Sequence, residues 1–584
     1  MSGTVSFHFD DAHVSHYEVA FPIFQKYGVP GCVACMTQGN RLTFRQLRQM
    51  QEAGWEILSH SVNHIKMNEP LPEDEAVREI AESKALLEAE GLRIRQFVTP
   101  MSACHPSMRE LLAANYDGAF TVYTNSAQLP VEKMVMERPV NRYELHRYGL
   151  SGKTLAQLRE VVDYVAETDA WIVFYDHDIG VQNNITAETL EALISYCLEK
   201  GVQICTSSQA MDKEICRTRI LRDGYDGKNC YVHARMAVHG QEMLITSQLM
   251  DVAGSDCFDT LQSNFSQDGG KTWTGFIPDP VFESWYEDGM RKVCCDMTPM
   301  YHKKTGTFFA TGHLANYDVG SLFPVSSYRR KSFVPYAIFD PETKKFSQVK
   351  QIQMPPDNKY ADCGSGCSQC YELENGELLI PISFREKVDG VALNARVAIL
   401  RCSFDGKEIK LLEIGNELEV PDEVRGIGEA SVIYHDGNYY CTIRGDTHGY
   451  ISVSRDGLHY TQPQIWRWDD GEILPTYNTQ SHWLHCDGKL YLVYTRKDGK
   501  NDHVFRNRAP LYVGQVDCEK LAIIRSSEFV AVPERGARLG NFGVVSPDDQ
   551  KAYVVVTEWM QPVGCERYGS NNAIWLSDIT VNAK

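Results

Sequence analysis

The chain has 584 residues, of which 43% are hydrophobic and 23% charged, ordinary globular usage that excludes a mainly disordered or fibrous protein. At roughly 150 residues per domain, the length calls for several domains or two large ones. Lys+Arg total 58 against 77 Asp+Glu, a net charge of −19. That balance argues against a nucleic-acid or anionic-membrane partner, because such surfaces attract Lys and Arg.

In chain order, Met1 to Asp11 carry no basic segment followed by an apolar one, so a secretory signal is not expected. No run of about 18 apolar residues occurs, so no membrane span is expected. The 18 Cys are accordingly read as reduced thiols in a cytoplasmic protein. Short apolar strands are predicted at Val5–Phe9, Gly31–Met36, Glu56–Ser59, Gln96–Thr99, Gly118–Thr121, Trp171–Tyr175 and Val202–Cys205. Helical patterns lie between them. Ala76, Ile80, Ser83 and Leu87 recur at helical spacing until Gly91, and Thr154–Ala166 and Thr186–Lys200 predict two more helices. This alternation suggests a (β/α) barrel or a doubly wound sheet over residues 1–212. Near residue 213 the texture changes. From there to Lys584, short strands are separated by Asp-Gly, Asn-Gly and Gly-Gly turns, which predicts a propeller or a sandwich. The length suits six blades. The joint near Met211–Ile215 has no low-complexity linker.

Four segments of the first region carry chemistry. Phe9-Asp10-Asp11-Ala12 places two carboxylates after a strand, and His60-Ser61-Val62-Asn63-His64 places two imidazoles four apart. Phe97-Val98-Thr99-Pro100-Met101-Ser102 and Tyr175-Asp176-His177-Asp178 follow two later strands. Histidines at i and i+4 face one side of a helical turn and can hold one cation. One carboxylate completes a His₂Asp set, its neighbour can deprotonate water, and a late His can protonate a leaving group. Each piece alone is commonplace. The combination, each at a strand end, is specific.

These segments resemble the NodB-homology domain of the polysaccharide deacetylases, carbohydrate esterase family 4, over residues 1–212. The resemblance implies a distorted (β/α) barrel that removes acetyl groups from N-acetylated sugars with a divalent metal, commonly zinc. It implies Asp10 as general base, Asp11, His60 and His64 as metal ligands, and His177 as general acid. The third motif of that family often carries an Arg that touches the base. Here Val98 stands in its place and Ser102 replaces a Gly, with Arg95 or Arg142 as substitutes for the missing group. The Asp-Trp fourth motif is absent. Cys104 and His105 read as loop residues.

In the second region, Ser266-Gln267-Asp268-Gly269-Gly270-Lys271-Thr272-Trp273 is an Asp-box, and Ser454-Arg455-Asp456-Gly457 begins a weaker copy. These turns resemble those of sialidase-like propellers and mark fold, not chemistry. Arg235, Arg444 and Arg506 or Arg508 resemble the carboxylate-binding arginines of that family, and Glu429 stands before Arg444 as the family's Glu does. Arg508 is the expected third arginine of that set. Phe542 falls where the nucleophilic Tyr belongs, and a Phe cannot attack an anomeric carbon. Cys363, Cys367 and Cys370 match an iron–sulfur spacing but sit in a propeller segment, where incidental thiols are the expected reading. The expected protein is therefore a deacetylase domain (1–212) followed by a six-bladed sialidase-like propeller (213–584) that binds or processes an acidic, acetylated glycan. The alternatives are a bifunctional enzyme with a glycosidase propeller, or a propeller acting as a lectin-like or homo-oligomerisation module.

Overall fold

The computed structural model describes residues 3–122, 129–213, 215–327, 329–356, 358–389 and 391–580, with the side chains of Ser102 and Asn358 left aside. The chain falls into two units, one ending at Arg219 and the other starting at Ile220. The predicted joint at Met211–Ile215 precedes this division and includes Glu214, outside the described residues. A bridge between Asn141 and Thr218, with the Arg142 amide donating to the Thr218 carbonyl at 3.2 Å, keeps the segment after the joint with the first unit.

The first unit is one parallel sheet with helices. Its strands are β1 (Thr4–Phe9), β2 (Cys32–Cys35), β3 (Glu56–Ser59), β4 (Ile94–Val98), β5 (Gly118–Val122), β6 (Leu145–His146), β7 (Tyr148–Gly149), β8 (Trp171–Asp176) and β9 (Gln203–Ile204). The order is β6-β5-β4-β3-β2-β1-β8-β7, which separates a barrel from the doubly wound alternative. The two end strands, β6 and β7, are divided in sequence by Arg147 alone, so the sheet curls until its edges nearly meet. The barrel is distorted because β1 shares one edge between two neighbours. Thr4 and Val5 pair with β9, while His8 and Phe9 pair with β2. β8 opens on the apolar run Trp171–Phe174 expected of a strand covered on both faces, whereas β1 is buried on both faces although Thr4, Ser6 and His8 alternate with Val5, Phe7 and Phe9.

Helix starts follow the capping rule. Thr43, Thr154 and Thr206 each accept from the backbone amide of Gln46, Gln157 and Gln209, whose side chains bond back. The helix predicted from Ala76 to Leu87 runs from Glu73 to Ala89 through a π turn at Arg78–Glu82. Among the described residues no helix is long and apolar enough to cross a membrane.

The second unit is a six-bladed propeller. Blade one spans Asn229–Pro278, blade two Trp285–Gln351, blade three Cys363–Ile414, blade four Gly428–Ile465 and blade five Arg467–Val532. Blade six is formed by Phe542–Val545, Ala552–Thr557 and Ile574–Ile579, joined at its edge by the strand Cys216–Arg222, whose residues from Ile220 on belong to this unit. The ring closes where Asn229–His239 packs against Met290–His302 on one side and Phe542–Val545 on the other. Gly543 lets that closure form: a Cβ there would stand 2.8 Å from the Arg235 Cα.

The Asp-box works as a turn. Asp268 accepts from the Ser266 hydroxyl (2.8 Å), the Lys271 and Thr272 amides (3.0 and 2.9 Å) and the Thr272 hydroxyl (2.6 Å). Gly269 and Gly270, at φ 74° and 80°, supply the left-handed steps. Asp456 repeats the pattern with the Leu458 and His459 amides. Burial disfavours ionised Asp268, but the Thr272 and Ser266 bonds outweigh it and hold its pKa at about 2, below 3.8. A depressed carboxylate stabilises the fold fully above its unfolded pKa, and the contribution fades as pH falls through the folded value. We expect Asp268→Ala to cost about 1–2 kcal/mol at neutral pH. The gap from wild type should narrow below about pH 4, read from calorimetric unfolding at several pH values.

Candidate functional site

At the C-terminal ends of β1 and β3, Asp11, His60 and His64 bring one ligand atom each to within 4.8 Å of one another. His60 Nε2 lies 3.6 Å and His64 Nε2 3.4 Å from Asp11 Oδ1. Tetrahedral ligation with bonds near 2.05 Å separates ligand atoms by about 3.3 Å, so these spacings suit one ion. Asp11 Oδ1 is buried with no hydrogen-bond partner. His60 donates from Nδ1 to the Val98 carbonyl at 2.7 Å, which leaves Nε2 as the free lone pair. Burial pushes His60 below the ordinary histidine range, against the pull of Asp10 and Asp11, and so favours the neutral, ligating form. Two imidazoles and one carboxylate, with an otherwise unpartnered oxygen among them, fit a divalent ion such as zinc with positions left open.

The local backbone explains how adjacent residues do different work. Asp10 and Asp11 form a tight turn in which Asp11 and Ala12 adopt positive φ (67° and 45°), so the two carboxylates diverge. The two histidines are not on a helix, contrary to the reading of their spacing. They sit on a loop in which Ser61 and His64 have φ 66° and 56°. Such non-glycine positions cost about 1 kcal/mol or more and concentrate at functional sites. Glu79 holds this loop. Its fully buried carboxylate accepts from the Val62 and Asn63 amides (3.0 and 2.9 Å) and from the Asn63 side chain (2.7 Å). Asp11 Oδ2 faces His13 at 3.9 Å, and His13 meets Arg41 (2.7 Å) and Asp178 (3.4 Å).

Asp10 is buried and takes Arg147 Nη1 on both oxygens, at 2.7 and 3.0 Å. Burial alone would raise its pKa, but Arg147, with His60 adding, holds it well below the usual carboxylate range. Arg147 is the base-contacting arginine that the third-motif comparison placed elsewhere. Arg95 is committed to Asp117 and Asp212, and Arg142 donates to the Asp117 and Met211 carbonyls. Val98 contributes its carbonyl to His60 instead of a side chain to Asp10.

In the Asp176-His177-Asp178 run, Asp176 is buried and accepts from Ser151, the His177 amide and the Ile185 amide. Asp178 takes the Ser15 hydroxyl. His177 is left partly exposed, with no side-chain hydrogen bond among the described residues, its ring 6.2 Å from that of Tyr175. His16, donating from Nε2 to the His177 carbonyl at 3.0 Å, fixes that loop. Cys104 and His105 shape a loop, as expected: His105 accepts from the Ser107 amide at the head of a short helix.

The propeller has its own cavity of about 830 Å³. Glu429, Arg444, Arg506 and Arg508 line it. Arg444 pairs with Glu429 and donates to Asn478 Oδ1 at 3.2 Å; Arg508 donates to the same oxygen at 3.1 Å. Arg235 does not reach the cavity surface. It is 1% exposed, bonds Asp296 twice (2.9 and 2.7 Å) and donates to the Phe542 carbonyl. A guanidinium bound in that way has no face to offer a ligand, which removes Arg235 from the predicted binding set. Phe542 is fully buried against His482. Cys363, Cys367 and Cys370 turn to three separate partners, the Ser332 carbonyl, Asp296 and Thr311.

Residues 2–116 match the family model "Polysaccharide deacetylase". A putative polysaccharide deacetylase, YxkH of Bacillus subtilis, is 30% identical over 84 residues, covering 14% of this chain and 30% of that relative's length. Among solved structures, a protein of unknown function from Dyadobacter fermentans aligns over 62% of this chain and 99% of its own at 14% identity, TM-score 0.45. Trypanosoma rangeli sialidase aligns over 61% and 55% at 13% identity, TM-score 0.42. The Xyl-CE4 domain of a xylanase from a Trinervitermes trinervoides hindgut metagenome aligns over 36% and 91% at 17% identity, TM-score 0.27.

Glu79 touches no ligand atom yet sets the loop that carries two of them. Glu79→Ala should weaken zinc binding by about 10- to 100-fold, read by competition with a chromophoric chelator. The chain thus carries a polysaccharide deacetylase domain at its N-terminus, followed by a six-bladed β-propeller.

Proposed function

We propose that the protein is a metal-dependent hydrolase that removes acetyl groups from an acetylated sugar or glycan, its propeller binding the acidic parts of that glycan. The observation that carries this reading is the convergence of Asp11, His60 and His64 beside an Asp10 that Arg147 keeps ionised. A divalent ion held by the three ligands would supply Lewis-acid polarisation of the acetyl carbonyl.

The remaining chemistry belongs to the chain. Asp10 accepts the proton of the attacking water, and its carboxylate is available because Arg147 offsets the cost of burial. Arg147 also fixes the aim of that carboxylate, since one nitrogen bonds both oxygens. His177, whose side chain makes no hydrogen bond among the described residues, delivers a proton to the departing amine or alkoxide. The left-handed turn at Asp11 keeps the proton acceptor and the ligand carboxylate apart although they are neighbours in sequence. The name of the Bacillus relative, a putative polysaccharide deacetylase, agrees with a polymeric carbohydrate substrate.

Acetate release from a panel of acetylated glycans tests the reading. Wild type should release acetate, lose the activity to a chelator and regain it with zinc. Asp10→Asn should abolish release while zinc still binds, and His177→Ala should slow it by about 10²- to 10⁴-fold. Unchanged release in both variants, or indifference to the chelator, would reject the mechanism.

A further inference from the structure

The propeller cavity holds more arginine than its own carboxylates neutralise. Asp446 is bound by Arg425, and Glu429 by Arg444. Asp296 is occupied by Arg235 and the Cys367 thiol. Arg330, Arg385, Arg506, Arg508 and Arg538 also line the cavity. Facing these five are Asp362 and Asp256. Asp362 Oδ2 has no hydrogen-bond partner and lies 3.8 Å from Arg330 Nε. Among the described residues Asp256 forms no ion pair. Arg385 and Arg506 make no side-chain hydrogen bond or ion pair among the described residues. Arg508 is met by the neutral Asn478, and Arg538 by Gln561 at 3.3 Å and by the faces of Trp559 and Phe505.

Arginine cannot shed its charge as a buried carboxylate or lysine can, so clustering guanidiniums leaves a cost that only an anion removes. The strain registers locally. Burial, then Arg444 and Arg538, press Arg508 down to about 9, and burial foremost, then Arg506, presses Arg538 down to about 10 although Asp256 acts against it.

The ring divides these groups into two. Arg330 belongs to blade two and Arg385 to blade three, whereas Arg506 and Arg508 belong to blade five and Arg538 to the segment entering blade six. In a closed six-membered ring, blade two stands opposite blade five and blade three opposite blade six. The Glu429–Arg444 pair of blade four, internally compensated, lies between the two groups.

We propose that this cavity binds a saccharide bearing two separate anionic substituents, one held by Arg385 and Arg330 and the other by Arg506, Arg508 and Arg538. The proposal rests on the reading of the propeller as an acidic-glycan module, and it adds a second anion subsite on blades two and three. Guanidinium groups suit it because each can grip a carboxylate or a sulfate ester with two parallel bonds. A cavity of about 830 Å³ accommodates a disaccharide-sized ligand.

Calorimetric titration of the full-length protein at about 0.15 M ionic strength tests this. The probes are a disaccharide with one glucuronate and the same disaccharide with one added sulfate ester. Wild type should bind the sulfated probe about tenfold or more tightly than the unsulfated one. Arg385→Gln should bring the two affinities together, Arg385→Lys should keep part of the preference, and Arg508→Gln should weaken both probes. Near-UV circular dichroism checks the fold of each variant; if R385Q fails to fold, R385K carries the comparison, and full retention of the preference there counts against the subsite. Equal affinities in wild type, or a preference that R385Q leaves intact, would overturn the second subsite while leaving the acidic-glycan reading standing. Failure of both probes to bind up to about 10 mM would overturn both.

Discussion

The buried Asp10–Arg147 ion pair is the contact on which the first unit's site depends. A carboxylate at the end of a fully buried strand loses several kcal/mol of hydration, and it stays ionised only with a well-placed cation and further hydrogen bonds. Arg147 is well placed because it is the one residue between β6 and β7, the two strands that bring the edges of the sheet together. Closure of the barrel and ionisation of Asp10 are therefore one event. If the edges stood apart, Arg147 would leave, and the cost of burying the Asp10 carboxylate would lose its main offset. With Asp10 pinned inward, the chain reverses at Asp11, whose positive φ turns the second carboxylate toward His60 and His64.

The propeller uses the same device for another end. Arg235 and Asp296 form a buried pair tied to the Phe542 carbonyl, at the point where blade one packs against blade six. There the guanidinium lies at a junction of blades instead of at the end of a barrel strand. Replacing either partner would leave an uncompensated charge at a site less than 2% exposed, which is strongly destabilising. An arginine that looks like a ligand-binding group in sequence is a structural one because its surroundings leave it no solvent face.

How much of this was legible follows from the range of each interaction. Asp10, Asp11, His60, His64 and His177 sit in short segments next to apolar strands, so local pattern singles them out as candidates. The loss of helical periods near residue 213 is a local signal of the same kind, and the two units divide at Arg219 and Ile220. Arg147 was not legible, because nothing in Leu145-His146-Arg147-Tyr148 distinguishes it from the arginines at 95 and 142 until the sheet closes. Glu79 was hidden for a similar reason: it reads as one more acidic helix residue, and only the docking of that helix brings it beneath the Asn63 loop. The i, i+4 spacing of His60 and His64 pointed to two rings that the structure does bring together, but on a loop and not on a helical turn. A loop with two left-handed residues converges the rings as a helical turn would.

The overall charge of −19 is the property that sequence composition weighs most heavily, and it misleads about the propeller cavity. Charges on exposed surfaces are screened within about 8 Å at physiological salt, so a distant acidic surface acts weakly on a ligand inside the ring. The arginines lining the cavity act at contact distance and, for Arg508 and Arg538, from largely buried positions. Their effect on an anion exceeds that of several remote carboxylates. An acidic protein can therefore repel polyanions in general and still retain one whose anionic groups match the spacing of its arginines. The repulsion then becomes part of selectivity: a polyanion with the wrong spacing meets the acidic exterior without gaining the interior contacts.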